Sequence, residues 1–301
     1  MAESFEDYRA YLFAIAYRML GSAMDAEDMV QEAYLRFQAT PPETQDSIIS
    51  LKAYLTTILT RLCINQLQSA HHLREQYIGP WLPEPINTDR ASASANPEER
   101  VELYESLSLA FLVLLEELQP IERAVFLLHD VFDYEYAEIA AFVGKSEVTC
   151  RQALSRAKKH LTNRRPRFTP SPETQREMLT SFLQAVQGGD MDALMTLLAD
   201  DVTLWADGGG KARGAATRPV HGPYAVARFV AASVRFIPDP ILSKVTEVNG
   251  EPAAVLSSDG EPLVVVALTL LGQRIAEIRV IGNPDKLRHL SPLANRPPSV
   301  P

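Results

Sequence analysis

Between Lys145 and Arg167 eight lysines and arginines stand against a single acid, Glu147, in a chain whose net charge is −9. Residues 1–144 carry a net −14 and residues 168–301 a net −2, so one short segment concentrates positive charge within an acidic protein. A local cation cluster of this kind suits a specific polyanion while the rest of the surface avoids non-specific ones. The cluster falls in the stretch from Tyr136 to Leu161. There Gly144 allows a left-handed turn, Ala140 is small where two helices would cross, and Ser146 can cap a second helix. Within that helix Cys150, Ala153, Leu154, Ala157 and Leu161 form an apolar face. Glu147, Arg151, Ser155 and Lys158 line the opposite side, flanked by Gln152, Arg156 and Lys159. Arg and Gln can make paired contacts to guanine and adenine edges, and the later cations have the reach and charge for phosphates. On an ordinary helical hairpin the same residues would be a solvated basic face, favoured by the negative end of the helix dipole. The conjunction of small residue, glycine turn, serine cap and charge favours a major-groove helix, with Ser146, Glu147, Thr149, Arg151, Gln152, Ser155, Arg156 and Lys159 as its DNA contacts.

A second constellation is acidic. Asp25, Glu27, Asp28 and Glu32 lie in one eight-residue stretch beside Met29, Val30, Ala33, Tyr34 and Phe37, a charged rim next to an apolar surface that suits docking on a basic partner. The next helical stretch, Tyr54 to Gln68, sets Thr56, Thr60, Arg61, Asn65 and Gln68 against a leucine stripe, with Tyr54 available for stacking on an unpaired base. Asp207 and His221 are of the types that carry protons in an acid/base pair, yet Asp207 also introduces three consecutive glycines, which suits a backbone turn offered to a partner. His71-His72 has no Cys or Asp nearby to complete a metal site, so neither metal nor cofactor is expected. Cys63 and Cys150 sit in apolar helical patterns and read as reduced, buried thiols.

These residues need several elements to hold them. A chain of 301 residues exceeds one ordinary domain. Helical spacing runs through Tyr8–Leu20, Ala26–Gln38 and the Leu51, Leu55, Ile58, Leu62 repeat, to about Gly79. Prolines 80, 83 and 85 and an Ala-Ser run break the pattern, and helices resume at Pro97 and continue to Leu161. After the Pro- and Arg-rich stretch 163–172 the period changes. Glu173–Ala199, broken at Gly188-Gly189, and Tyr224–Phe236 read as helices. Val202–Ala206, Ile241–Val248, Ala253–Ser257, Leu263–Leu271 and Ile275–Ile281 read as strands, with Asp259-Gly260 and Gly272-Gln273 at hairpin turns. The expected domains are 1–79, 98–162 and 173–290, joined by linkers 80–97 and 163–172 and followed by a proline-rich tail, 291–301. No apolar run reaches the length that spans a bilayer, and Glu3, Glu6 and Asp7 open the chain where a signal peptide would be basic, so a cytoplasmic protein is expected.

Taken in order, the pieces resemble an alternative sigma factor of bacterial RNA polymerase, of the extracytoplasmic-function group. The run Asp25 to Phe37 looks like the polymerase-clamp-binding helix of sigma region two, which carries the polymerase-binding role onto Asp25, Asp28, Gln31 and Glu32. The run Ala53 to Leu67 looks like the helix that recognises and melts the minus-ten element, pointing to Tyr54, Thr56, Arg61 and Asn65; Asn65 departs from the frequent aspartate. Leu118 to Leu161 resembles region four, which reads the minus-thirty-five element. The segments Trp81-Leu82-Pro83-Glu84-Pro85, Asp207-Gly208-Gly209-Gly210-Lys211 and Asn283-Pro284-Asp285-Lys286-Leu287 look like signatures of sigma factors fused to a SnoaL-like domain. The resemblance implies two all-α sigma domains, the second with a helix-turn-helix, and a C-terminal α+β SnoaL-like cone-shaped barrel acting in place of an anti-sigma protein. It implies core RNA polymerase (clamp and flap) and promoter DNA as partners, an unknown small-molecule ligand of the C-terminal domain as another candidate, and no membrane. Two rivals from other classes are a small-molecule-modifying enzyme with a DNA-binding appendage and a stand-alone repressor; initiation with purified core polymerase separates them.

Overall fold

A computed structural model describes residues 4–74, 76–88, 106–162 and 170–290. The expected helix start at Pro97 and the tail after residue 290 lie outside the described residues. The chain divides into two compact units: Met1–Glu75 with Phe111–Arg165, and Gln76–Ala110 with Pro166–Pro301.

The first unit is all helical. Helix α1 (Phe5–Leu20) starts at Ser4, whose backbone and hydroxyl donate to Asp7, and stops at Gly21. Gly21 takes φ 67° and returns its N–H to the Tyr17 carbonyl, a left-handed cap open to glycine at little cost. Helix α2 (Ala23–Gln38) is capped by the Ser22 hydroxyl, which accepts from the Asp25 N–H, and it buries Ala23, Ala26, Val30 and Ala33 against its neighbours. A short α3 (Pro42–Asp46) leads to the long α4 (Leu51–Arg74). Its core stripe is Leu55, Leu59, Leu62, Cys63 and Leu67, rotated from the expected Leu51–Ile58 line, both of which are only half-buried. The later helices are α5 (Leu109–Leu115), α6 (Pro120–Asp130), α7 (Tyr136–Val143) and α8 (Glu147–Thr162). Pro120 opens α6 where a missing N–H costs nothing. Gly144, at φ 65°, turns α7 into α8, and the Ser146 hydroxyl accepts from the Thr149 N–H to cap α8. Cys150, Ala153, Leu154, Ala157 and Leu161 are all buried, as the α8 pattern requires.

The second unit is α+β. Ser171 caps α9 (Pro172–Gly188), and Asp190 caps α10 (Met191–Leu197) after the left-handed Gly189. Strand β1 (Leu198–Asp207) begins four residues earlier than the sequence pattern suggests, directly from α10. Then come β2 (Val220–His221), α11 (Pro223–Ser233), a 3-10 turn (Val234–Phe236), β3 (Leu242–Val248), β4 (Glu251–Ser258), β5 (Glu261–Leu271) and β6 (Arg274–Ile281). Asn249-Gly250 and Asp259-Gly260 make the β3–β4 and β4–β5 hairpins with positive φ at both residues. Sheet order is β2-β1-β6-β5-β4-β3, antiparallel except for the β1–β6 pair. The expected cone is therefore an open one: β2 and β3 lie at opposite ends of the strand order and do not pair with each other, and the sheet packs on Leu179, Phe182, Val226 and Val230 of the helices instead of closing on itself. Parallel pairing sets the C-terminal ends of β1 and β6 side by side, Asp207 opposite Ile281, so the segments that follow both strands emerge together.

Candidate functional site

On α8 the residues named from sequence form one outward surface. Arg151, Gln152, Ser155, Arg156 and Lys159 are exposed, while Ser146 and Thr149 share a hydroxyl contact at the cap. Arg151 is steadied in two ways, donating to Glu147 at 2.8 Å and lying 4.9 Å above the Tyr136 ring. Two cations turn back toward α6: Arg156 pairs with Glu122 and Lys158 with Asp130, at 2.8 and 2.9 Å. Gln152, Ser155 and Lys159 thus join a braced guanidinium on one exposed polar face that runs from the first turn of the helix to its last.

The polar side of α4 behaves differently. Thr56 and Thr60, expected to face outward, are fully buried. The Thr56 hydroxyl donates to the Lys52 carbonyl at 2.8 Å and lies 3.3 Å from the Tyr134 hydroxyl, which in turn accepts from Tyr11 at 2.6 Å. Arg61 donates to the Phe142 and Ala141 carbonyls at 3.0 and 2.9 Å. Those are carbonyls of the last turn of α7, where backbone acceptors lack intrahelical partners and the helix dipole is negative. Helix α4 therefore packs on the helix-turn-helix itself. Asn65 stays exposed, and Tyr54 is half-buried, sharing its hydroxyl with Thr40.

Arg123 of α6 locks the same junction, donating to the Met19 carbonyl and to Glu116 at 2.6 and 2.8 Å. Burial pulls its guanidinium down to about 9, and burial likewise lowers Arg18, which lies 5.6 Å from the Phe132 ring, to about 10. Burial, together with the Tyr134 hydrogen bond, pushes the Tyr11 phenol far up. Of the acidic set, Asp28 and Gln31 are exposed, Asp25 accepts from Gln66 at 3.4 Å, and Glu32 pairs with Arg36 at 2.9 Å. Exposed Met24 and Leu35 give this rim its apolar component. Ile49, fully exposed in the loop before α4, was not anticipated; its only sequence signal is an Ile-Ile pair between serines.

In the second unit the three segments grouped from sequence converge on Asp207. Its carboxylate is wholly buried and accepts from the Tyr77 hydroxyl (2.5 Å), the Leu82 N–H (2.8 Å), the Gly209 N–H (3.1 Å) and Lys286 Nζ (2.7 Å). Lys286 also donates to the Leu82 carbonyl and sits 4.1 Å over the Trp81 ring, so Trp81-Leu82 is held from both sides. Asn283 joins by donating to the Tyr77 hydroxyl at 2.8 Å. Leu82, Pro83, Glu84 and Pro85 are buried along this path, and Leu287 closes its end. Gly209 has φ 56°, and a Cβ there would collide with Asn283 Nδ2; a Cβ on Gly210, at φ 72°, would press on Ile78. Lys211 pairs with Asp285 outside the junction, holding that carboxyl below the usual range. Downstream, Ile86 and Asn249 exchange two hydrogen bonds at 2.9 and 3.0 Å, and Thr88 donates to the Glu247 carbonyl on the β3 edge. Residues 76–88 are thus a fixed strap, where the proline-rich composition suggested only a spacer.

Asp207 and His221 do not form an acid/base pair. His221 sits opposite Thr203 at the far end of the pairing, four residues and about 13 Å along the strand from Asp207, whose oxygens are occupied by the strap. Among the described residues no cluster of His, Cys, Asp and Glu could hold a metal ion, and no helix is long and apolar enough to cross a membrane.

Comparison with known proteins accounts for this arrangement. Residues 5–72 match the Sigma-70 region 2 family and residues 108–161 the Sigma-70 region 4 family. Over 97% of its length, and 94% of the relative's, the chain is 37% identical to the ECF RNA polymerase sigma factor SigJ of Mycobacterium tuberculosis. It belongs to the ECF RNA polymerase sigma factors. A probable ECF sigma factor of the same species, SigI, is 31% identical across 93% of this chain and 92% of its own. The crystal structure of M. tuberculosis SigJ superposes with a TM-score of 0.71 at 33% identity, covering 96% of this chain and all of that one, so the C-terminal α+β unit is part of the shared architecture. As a member of this family the protein is an alternative sigma factor that directs transcription by RNA polymerase.

Proposed function

We propose that this sigma factor is autoregulated: region four covers the base-reading side of region two, and the C-terminal SnoaL-like domain, in place of an anti-sigma protein, governs how readily the two part. The observation that carries this is Arg61, whose guanidinium is engaged by the α7 carbonyls while Thr56 lies beneath Tyr134. Arg61, Thr56, Tyr54 and Asn65 are the minus-ten contacts, and the first two become available only when α7 leaves α4. The exposed face of α8 from Ser146 to Lys159, with Arg151 and Gln152 foremost, reads the minus-thirty-five element in the major groove. Arg156 contributes after releasing Glu122. Asp25, Asp28, Gln31 and Glu32 dock on the polymerase clamp, and region four on the flap. The strap limits separation, because residues 77–88, once held at Asp207 and Asn249, no longer add slack to the chain joining the two regions. Active protein is then the strap-released fraction, which a small molecule in the SnoaL-like domain could set.

Run-off transcription with purified core polymerase tests this reading. Asp207→Asn, which weakens the strap's anchor while keeping a side chain of the same shape, is expected to raise transcription several-fold at limiting protein. A fall would overturn restraint and make the strap a required part of the active complex. No initiation by any form would overturn the sigma-factor role.

A further inference from the structure

The curl of the sheet encloses a cavity of about 590 Å³, within the range of ligand sites. Its walls are apolar: Phe182 and Phe229 from the helices, Leu256, Val266, Ile278 and Val280 from the strands. Five charged residues line it, and they are not equivalent. Asp207 is neutralised by Lys286 and turned to the strap, and Lys211 is paired with Asp285. Arg213 and Arg235 are exposed at the opening and make no ion pair among the described residues; Arg235 lies 4.7 Å over the Phe236 ring. Asp239, also at the opening, offsets one of them. One cation remains in excess at the mouth of an apolar chamber.

The roof connects this chamber to the strap. Residues 207–215 form a loop with two working sides. Gly209 and Gly210 are pressed against Tyr77, Asn283 and Ile78, whereas Ala212, Arg213, Gly214 and Ala215 line the cavity. Gly214 fits only because it lacks a Cβ, which would collide with the Phe236 ring at the opening. Gly282, Pro284 and Leu287 likewise face the cavity from the segment that carries Asn283 and Lys286.

We propose that the cavity binds an apolar molecule bearing one anionic head group, of the long-chain carboxylate class, with its tail among the strand and helix side chains and its head at Arg213 and Arg235, and that occupancy strengthens the grip on the strap. The second half rests on the strap being the brake described above. The sign follows from linkage: the chamber exists in the strap-held arrangement, so a ligand that fills it favours the loop conformation that also holds Tyr77, and the strap favours the ligand by the same factor.

Calorimetric titration of the full chain with dodecanoate, below its micelle concentration, tests the site. One equivalent is expected to bind, at least about tenfold tighter than dodecanol, a difference worth about 1.4 kcal/mol. Leu183→Phe and Val264→Phe, which narrow the chamber from opposite walls, are each expected to abolish binding. The doubly substituted Arg213→Glu, Arg235→Glu chain should lose about tenfold in affinity with its thermal unfolding unchanged. Tyr77→Phe, which touches the strap and not the chamber, should weaken dodecanoate about threefold through reciprocity. Absence of binding, or binding indifferent to both phenylalanine variants, would overturn the site. Equal affinity for dodecanol would overturn the anionic class, and an unchanged Tyr77→Phe affinity would overturn the coupling. Transcription is a separate readout: if all binding results hold and dodecanoate leaves run-off yield unchanged, the site stands and strap-based regulation fails.

Discussion

Two cationic contacts bridge distant parts of the sequence, and they are built to different standards. Arg61 reaches the end of α7 from an exposed position and binds only backbone carbonyls. Lys286 is buried with Asp207, which has four donors around it. An exposed guanidinium can exchange carbonyls for water or phosphate at little cost, whereas a buried pair broken on one side leaves an uncompensated charge. Under the proposed autoregulation, the contact that opens for promoter recognition is the weaker of the two and the one that anchors the strap the stronger, so one joint moves and the other sets how far.

Breaking the strong contact should give the largest effect. Asp207→Ala removes the buried acceptor shared by Lys286, the Tyr77 hydroxyl and the Leu82 N–H, and is expected to cost about 3–5 kcal/mol, measured as a lower urea midpoint for the second unit's unfolding. Arg123→Met comes next. It preserves apolar volume but removes the guanidinium's hydrogen bonds to Glu116 and the Met19 carbonyl, at about 2–3 kcal/mol, readable by the first unit's thermal transition. Arg61→Ala should cost the closed pairing only about 1 kcal/mol. In single-molecule fluorescence with labels on α2 and α8 this appears as a roughly fivefold rise in the open fraction; an equal response to Asp207→Ala and Arg61→Ala would erase the contrast between the joints.

Alkaline titration sharpens the comparison. Burial, then the hydrogen bond to Asp207, raises the Tyr77 phenol above its ordinary value. A group with a raised folded pKa contributes its stability fully below the unfolded value, about 10 for tyrosine, and loses it as pH rises through the folded one. Strap release should therefore begin above about pH 10, seen as a change in Trp81 emission that Tyr77→Phe removes. The smallest effect belongs to Lys211→Ala: its pair with Asp285 is exposed and should matter by less than about 0.5 kcal/mol, vanishing in high salt.

The helix-turn-helix was legible in the sequence because its determinants are local. Gly144, Ser146 and the Cys150–Leu161 stripe lie within one short run, and the structure places each as its chemistry requires. The strands after residue 240 were legible for the same reason, with turn residues at their ends. Thr56 and Thr60 are misassigned because helical periodicity identifies a polar face and not what covers it; over Thr56 the cover is Tyr134, far along the chain. Nor does local patterning reveal the strap's receptor. Tyr77, Asp207 and Lys286 meet only through the parallel β1–β6 pairing, and Asn249, which fixes the strap's far end from a left-handed turn, reads as nothing more than a hairpin residue. Resemblance grouped the three segments; the physical reason for the grouping is one buried carboxylate.

The order of the strap and its anchor along the chain has a temporal side. Leu82 precedes Lys286, which closes over it, by 204 residues. At 5–20 residues per second a ribosome needs roughly 10–40 s to travel that distance. Region two and region four are both made before Lys286, so under the proposed autoregulation a newly synthesised copy starts without this restraint.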